Sequence, residues 1–229
     1  IKPYIYKTPL IKDSKQVNDC FKTNIFLKCE FLQKSGSFKA RGAINNILSM
    51  DKSKLKNGIT AVSAGNHAIA TAYVSNLFKL KNKIFLYKSA NKYRIDTCKN
   101  FKAKIIFTTP EKAFKNVSIA ESKGYNFIHP FDGPHTLQGS ATLGLEICDE
   151  FIKSKKKIDN VIISVGGGGL VSGVGSYIKH KFPNAKIYGV EPKFANGMTK
   201  SLIKGEPLNN IKLNSIADSL SSPLHMPYS

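Results

Sequence analysis

Four consecutive glycines, Gly166, Gly167, Gly168 and Gly169, follow a run of β-branched residues and lead through Leu170 into a segment of helical period. Glycines let a backbone approach an anion closely, and the free N–H groups of such a loop, with those of the helix it opens, make a phosphate site without charged side chains. The same run also suits a tight strand-to-helix turn. It is neither the G-x-G-x-x-G of a dinucleotide site nor a P-loop, since no Gly-Lys-Ser/Thr follows. Far upstream, Ser35-Gly36-Ser37-Phe38-Lys39-Ala40-Arg41-Gly42-Ala43 places Lys39 just inside a helix start, among small and apolar residues. The positive end of a helix and partial desolvation both lower an amine's pKa, which favours the neutral form that a Schiff base requires. By itself, one lysine among 33 is far more readily a surface residue. A third segment, Ser63-Ala64-Gly65-Asn66-His67-Ala68, joins a strand to a helix. There Ser63, Gly65 and Asn66 could cradle a carboxylate, the Asn66 amide could face a phenolic oxygen, or the segment could simply cap its helix.

Elements of regular structure have to hold these segments in place. Apolar runs rich in β-branched residues alternate with helix-period segments, which predicts an α/β protein with a mainly parallel sheet and right-handed crossovers. Strands are expected at 25–29, 59–63, 83–87, 104–108, 126–129, 160–165 and 186–190, with 161–165 buried. Helices are expected at 38–50, 67–77, 91–101, 111–123, 136–151 and 170–182. Breaks near Gly58 and around Asp132-Gly133-Pro134 delimit a compact middle unit of βα repeats, 58–132, and the flanks, 1–57 and 133–229, form a second unit. Residues 215–229 supply no closing strand or helix and the first residue is Ile1 rather than Met, so a fragment is expected.

Taken together, S-F-K-x-R-G-A, S-A-G-N-H-A and G-G-G-G-L stand in the order, and at roughly the spacing, seen in fold-type II pyridoxal phosphate enzymes. The chain most resembles the serine/threonine dehydratase and serine racemase group, and the likeness covers nearly all of it. His129-Pro130-Phe131-Asp132, Gln138-Gly139-Ser140 and Gly189-Val190-Glu191-Pro192 support it. The resemblance implies a two-domain, three-layer αβα fold like that of the tryptophan synthase β chain, mostly of parallel sheet, with the last part of the large domain missing. It implies pyridoxal 5'-phosphate as cofactor and Lys39 as its Schiff-base lysine and the base at Cα. Phe38 would help pack the cofactor ring and Asn66 would hydrogen-bond its 3-hydroxyl oxygen. Gly166, Gly167, Gly168 and Gly169, with the Leu170 amide, would hold the phosphate. Ser63, Gly65, Asn66 and His67 lie in the loop that binds the substrate carboxylate, and 129–132 and 218–223 would border the substrate pocket. The middle unit would be a small mobile domain, closing on a large domain made of both flanks.

The implied reaction converts a β-hydroxy amino acid, L-threonine or L-serine, to a 2-keto acid and ammonia. Serine racemases of this group commonly carry a second Ser where this chain has Ala64, and a methyl group exchanges no proton, so elimination is favoured over racemisation. Racemase-like members also bind a divalent cation through acidic groups after the G-V-E-P segment; here Gly197 stands where a second carboxylate is expected, so no metal is predicted and Glu191 is assigned a structural hydrogen bond. A serine racemase, other fold-type II chemistry such as β-replacement, and a non-catalytic truncated paralogue are the alternatives.

The formal net charge of +20 raises nucleic acid as a rival partner. Only two of the basic residues are arginine, Arg41 and Arg94, and the lysines are dispersed along the chain, which speaks for a compositional bias and a small-molecule amino-acid substrate. The densest cluster, Lys153, Lys155, Lys156 and Lys157, suits the carboxyl end of a helix. Cys20, Cys29, Cys98 and Cys148 form no metal-ligand spacing and read as free, mostly buried thiols. No apolar run approaches the ~20 residues of a membrane helix and no secretory stretch opens the chain, so a cytoplasmic location is expected; the resemblance implies a homo-oligomer, dimer or tetramer.

Overall fold

The computed structural model describes residues 1–209 and 214–229. In chain order the elements are β1 (Leu10–Lys12), α1 (Lys15–Phe21), β2 (Phe26–Lys28), α2 (Lys39–Ser49), α3 (Lys52–Leu55), β3 (Ile59–Ser63), α4 (Asn66–Leu77), β4 (Asn82–Tyr87), α5 (Lys92–Asn100), β5 (Ile105–Thr108), α6 (Pro110–Ser122), β6 (Asn126–Phe127), α7 (Pro134–Lys153), β7 (Asn160–Ser164), α8 (Gly169–Lys181), β8 (Lys186–Val190) and α9 (Gly197–Lys204).

Strands β5-β4-β3-β6 form one fully parallel sheet. Alternation along β4 shows why it is sandwiched. Ile84 and Leu86 pack with Ala68, Ile69 and Ala72 of α4 and Cys98 of α5, whereas Phe85, between them, packs with Val62, Ala113, Val117 and Ala120 on the α6 side. Successive side chains point to opposite faces, so a strand covered on both reads as a continuous apolar run. Because β4 and β5 step away on one side of β3 and β6 returns on the other, strand order reverses at β3. In open α/β sheets the crevice at the carboxyl ends of the strands flanking such a reversal is where ligands bind. The chain leaves β3 as 64–66 and leaves β6 as 128–133, so both turns emerge at that place.

A second pair, β7 and β8, is parallel and in register from Asn160 against Lys186 to Ser164 against Val190. The expectation of a buried strand at 161–165 is corrected here. Ile163 and Val165 are buried, but Ile162 is 75% exposed, and Tyr188 and Val190 of β8 are about half exposed. Helices α7 and α8 cover one face of this pair, with Leu143, Ile147, Val174 and Ile178 packed on Ile163, and among the described residues nothing covers the other. Strands β1 and β2 pair antiparallel at one edge of the molecule.

Helix α7 ties the site together. A Cβ at Gly139 would lie 2.4 Å from the Arg41 carbonyl oxygen on α2, and one at Gly173 of α8 would lie 2.5 Å from the Leu137 carbonyl oxygen on α7. Only hydrogen fits at either crossing, so α2 and α8 are both drawn tightly onto α7. Their N-termini carry Lys39 and the glycine loop.

Candidate active site

Lys39 is the first residue of α2, with Phe38 as an N-cap that makes no side-chain capping bond. The Lys39 Nζ donates to the Pro130 carbonyl oxygen at 2.5 Å and lies 4.9 Å from the centre of the Phe38 ring. Among the described residues it forms no ion pair. Burial pushes its pKa down from 10.5 to about 8. Two residues on, Arg41 meets the opposite treatment. Its guanidinium is fully enclosed between Glu30, at 2.7 and 2.8 Å, and Glu146, at 2.8 and 3.0 Å, with Thr142 Oγ1 at 3.1 Å. Glu146 also accepts from Lys28 Nζ at 2.6 Å. Burial alone would lower the Arg41 pKa, but the two carboxylates reverse this and raise it. The network fixes the first turn of α2, and so the direction in which Lys39 leaves it.

His67, second in α4, is buried and donates through Nε2 to the Ile128 carbonyl oxygen at 2.8 Å. Burial, with the nearby charge of Lys39, pushes its pKa down to about 3. His129 follows β6, and its Nδ1 accepts from the backbone N–H of Asp132 at 2.9 Å and of Phe131 at 3.4 Å. Burial pushes it down to about 4, Asp132 opposing and Lys39 assisting. The charge of Lys39 thus disfavours charge on both imidazoles, and His129 adds to that effect at His67.

In the glycine loop, Gly168 is the N-cap of α8 at φ +94°, left-handed backbone that an L side chain rarely adopts, and no side chain caps the helix. A Cβ at Gly167 would lie 2.3 Å from the Phe131 ring and one at Gly169 would lie 2.4 Å from the Phe131 carbonyl oxygen. On its other side the loop meets 218–229: His225 Nε2 lies 3.1 Å from the Gly166 carbonyl oxygen and Ser229 Oγ donates to that of Gly167 at 3.1 Å.

Phe38, Lys39, His67, His129, Phe131 and Gly169 are among the residues around one small cavity. Of the residues singled out in the sequence, Phe38, Lys39, His67 and Gly169 meet there. Ser63, Gly65, Asn66, Gly166, Gly167, Gly168 and Leu170 do not line it. Ser63 Oγ accepts from the Gly65 N–H at 3.0 Å, Gly65 is the N-cap of α4, and Asn66 is its first, partly buried residue. Arg94 of α5 lies across this turn. Its guanidinium carbon is 3.3 Å from the Cβ position of Gly65, and the group pairs with Asp218 at 2.5 and 2.9 Å. Sequence reasoning gave 129–132 only a bordering role, yet this turn holds Lys39 through Pro130 and the glycine loop through Phe131. Glu191 spends both carboxylate oxygens on the start of α9, accepting from Met198 N and Thr199 N at 2.8 Å and from Thr199 Oγ1 at 2.6 Å.

Comparison with known proteins adds three findings. The family described as "Pyridoxal-phosphate dependent enzyme" matches residues 1–229. Phenylserine dehydratase of Ralstonia pickettii is 37% identical over all of this chain and 69% of its own length, and an L-threonine dehydratase of Halalkalibacterium halodurans is 35% identical over 95% of this chain and 53% of its own. The structure of maize serine racemase superposes with a TM-score of 0.91 at 30% identity, over 99% of this chain and 68% of that one. The chain therefore spans about half to two thirds of the length of these relatives.

Proposed function

Because the chain belongs to the family of pyridoxal-phosphate dependent enzymes, we propose that it is the lysine-bearing part of a dehydratase acting on a β-hydroxy amino acid. The observation that carries this reading is the Lys39 amine, desolvated, without an acid partner among the described residues, and set at the N-terminus of a helix that packs on α7, as does the helix opened by the glycine loop. The residues present fit the cofactor on three counts. The glycines at 166–169 carry no side chains of their own, burial brings the amine down to about 8, and a buried imidazole nitrogen close by has no partner among the described residues.

Pyridoxal phosphate, when bound, supplies an aldehyde for an amine and a ring that delocalises electrons from Cα. Lys39 would hold it and, once released, take the Cα proton, a task for which a pKa near 8 is suited at neutral pH. The backbone N–H groups of Gly166, Gly167, Gly168, Gly169 and Leu170 would hold the phosphate. Phe38 would pack on the ring, Asn66 would face the 3-hydroxyl oxygen, and Ser63, Gly65 and His67 would take the substrate carboxylate. His67 would act through its position and not through charge, since its ring is held neutral. Residues 58–132 would be the small domain, carrying the carboxylate turn, and 1–57 with 133–229 the large one. Ala64 favours elimination over racemisation, as it offers no hydroxyl on the β3–α4 turn.

The test is the visible absorption spectrum with pyridoxal phosphate, followed by keto-acid formation from L-threonine, L-serine and phenylserine. A band that disappears in Lys39→Ala, with turnover of at least one of the three, is expected. No band from folded protein would refute the reading.

A further inference from the structure

His129 carries a buried hydrogen-bond donor that no atom of the described residues uses. Its Nδ1 accepts the Asp132 N–H at 2.9 Å, so that nitrogen is unprotonated, and the proton of the neutral ring sits on Nε2. That Nε2 is enclosed and has no partner among the described residues. Buried polar atoms in native proteins are nearly always satisfied, and an unsatisfied one calls for a specific explanation. Mobility does not offer one, because the ring is gripped edge-on by Phe127 and Phe131 at 5.5 and 4.8 Å between centres. Nor does a nearby acid. The one carboxylate that acts on His129, Asp132, accepts through Oδ1 from the Ser229 N–H at 2.7 Å, and the Pro130 carbonyl is taken by Lys39. His129 nonetheless lines the same cavity as Lys39 and Gly169.

We propose that His129, through Nε2–H, is a ligand-binding residue of this site, donating to an anionic oxygen of a phosphate or carboxylate seated between Lys39 and Gly169. The inference rests on the pyridoxal phosphate reading and adds to it a residue outside the lysine, the glycine loop and the carboxylate turn. A fixed neutral donor suits an anion already flanked by Lys39, because it adds a hydrogen bond without adding a second buried charge.

Two substitutions separate the ring's two nitrogens. His129→Asn keeps an acceptor where Nδ1 lies, and so the turn to Asp132, but lacks the Nε2–H. His129→Gln keeps a donor at the reach of Nε2 and gives up the turn. The dissociation constant of pyridoxal phosphate, read from the Lys39-dependent band, is expected to rise about tenfold or more in His129→Asn if the phosphate is the acceptor. If a substrate carboxylate is the acceptor, KM rises by that factor while cofactor affinity holds. His129→Gln, which keeps the donor but not the turn, should lose less than His129→Asn in whichever of the two is affected. Binding and KM in His129→Asn equal to wild type would overturn the assignment. The imidazole 15N shifts of wild type, titrated with inorganic phosphate, give a readout that needs no cofactor. A shift at Nε2 without any Lys39-dependent band would sink the dehydratase reading and leave the donor standing, and unmoved shifts together with an unaffected variant would sink the donor alone.

Discussion

The two arginines occupy opposite kinds of place. Arg41 is fully enclosed, with two carboxylates that are themselves at most 14% exposed; Arg94 pairs with a single carboxylate, Asp218, that is 59% exposed. Among 33 lysines, a guanidinium remains at the two positions where a planar fork makes two-pronged bonds that an ammonium cannot. The fork is common to both, and what differs is what water can do once it is lost. At Arg41 nothing replaces it, so the pair holds α2 on α7 and sets the root of Lys39. At Arg94 solvent stands beside the pair, which joins α5 and the 64–66 turn to the segment lying on the glycine loop. One is a fixed anchor and the other a seam that can open.

The largest expected effect tests the anchor. Arg41→Lys should leave at least one buried carboxylate without its partner, and breaking a buried pair in this way costs about 3–5 kcal/mol. For a chain of this size that lowers the thermal midpoint by roughly 6–20 °C. Calorimetry or urea unfolding reads it, and a loss below about 1 kcal/mol would place Arg41 in the same class as Arg94.

Lys39 sharpens the contrast within one helix turn, since burial acts on both residues but acids answer it only at Arg41. The sign follows from the direction of the shift. The folded pKa of about 8 lies below the ordinary 10.5, so between these values the unfolded chain binds more protons and stability rises with pH. Urea midpoints of wild type, compared with those of Lys39→Met, should therefore converge as pH climbs from below 8 toward 10. A gap independent of pH would show that Lys39 is solvated like its surface counterparts.

How far all this could be read from the sequence depends on how local its cause is. Strands β3 and β8 begin and end where the apolar runs do, and α4, α6 and α8 fall within a residue of their periodic segments. Helix α1 was invisible because it buries none of its residues and starts only on the Ser14 hydroxyl, which accepts from Val17 N. Helix α9 buries only Gly197 and Ser201 and leaves Leu202 and Ile203 exposed, so burial marks no apolar face on it either. The open face of β7 and β8 was misjudged because an apolar run says what could be buried, not what covers it. In the site, Lys39 and the glycines announce themselves through neighbours in sequence. The Arg41 pair with Glu146 spans 105 residues and the Lys39 bond to Pro130 spans 91, and no local pattern encodes either.

The smallest expected effect tests the seam, and it discriminates best. A partly exposed pair contributes about 0–1 kcal/mol, so a double-mutant cycle of Arg94→Gln and Asp218→Asn should give a coupling in that range at low salt and less at high salt. Arg94 holds the Asp218 carboxyl below its ordinary 3.8, so the coupling is fully present above that pH and fades as acid protonates Asp218 through the lower folded value. In the Arg41 network burial would raise the Glu146 carboxyl, but Arg41 and Lys28 hold it below its ordinary 4.5, so its contribution too is present above that pH and lost as acid protonates it. If the β3–α4 turn takes the substrate carboxylate as proposed, then with Arg94 no longer lying over Gly65 the KM for the amino acid should change several-fold while global stability moves by no more than about 1 kcal/mol. A coupling of several kcal/mol that resists salt would mean that water does not reach Asp218, and the distinction between anchor and seam would fall.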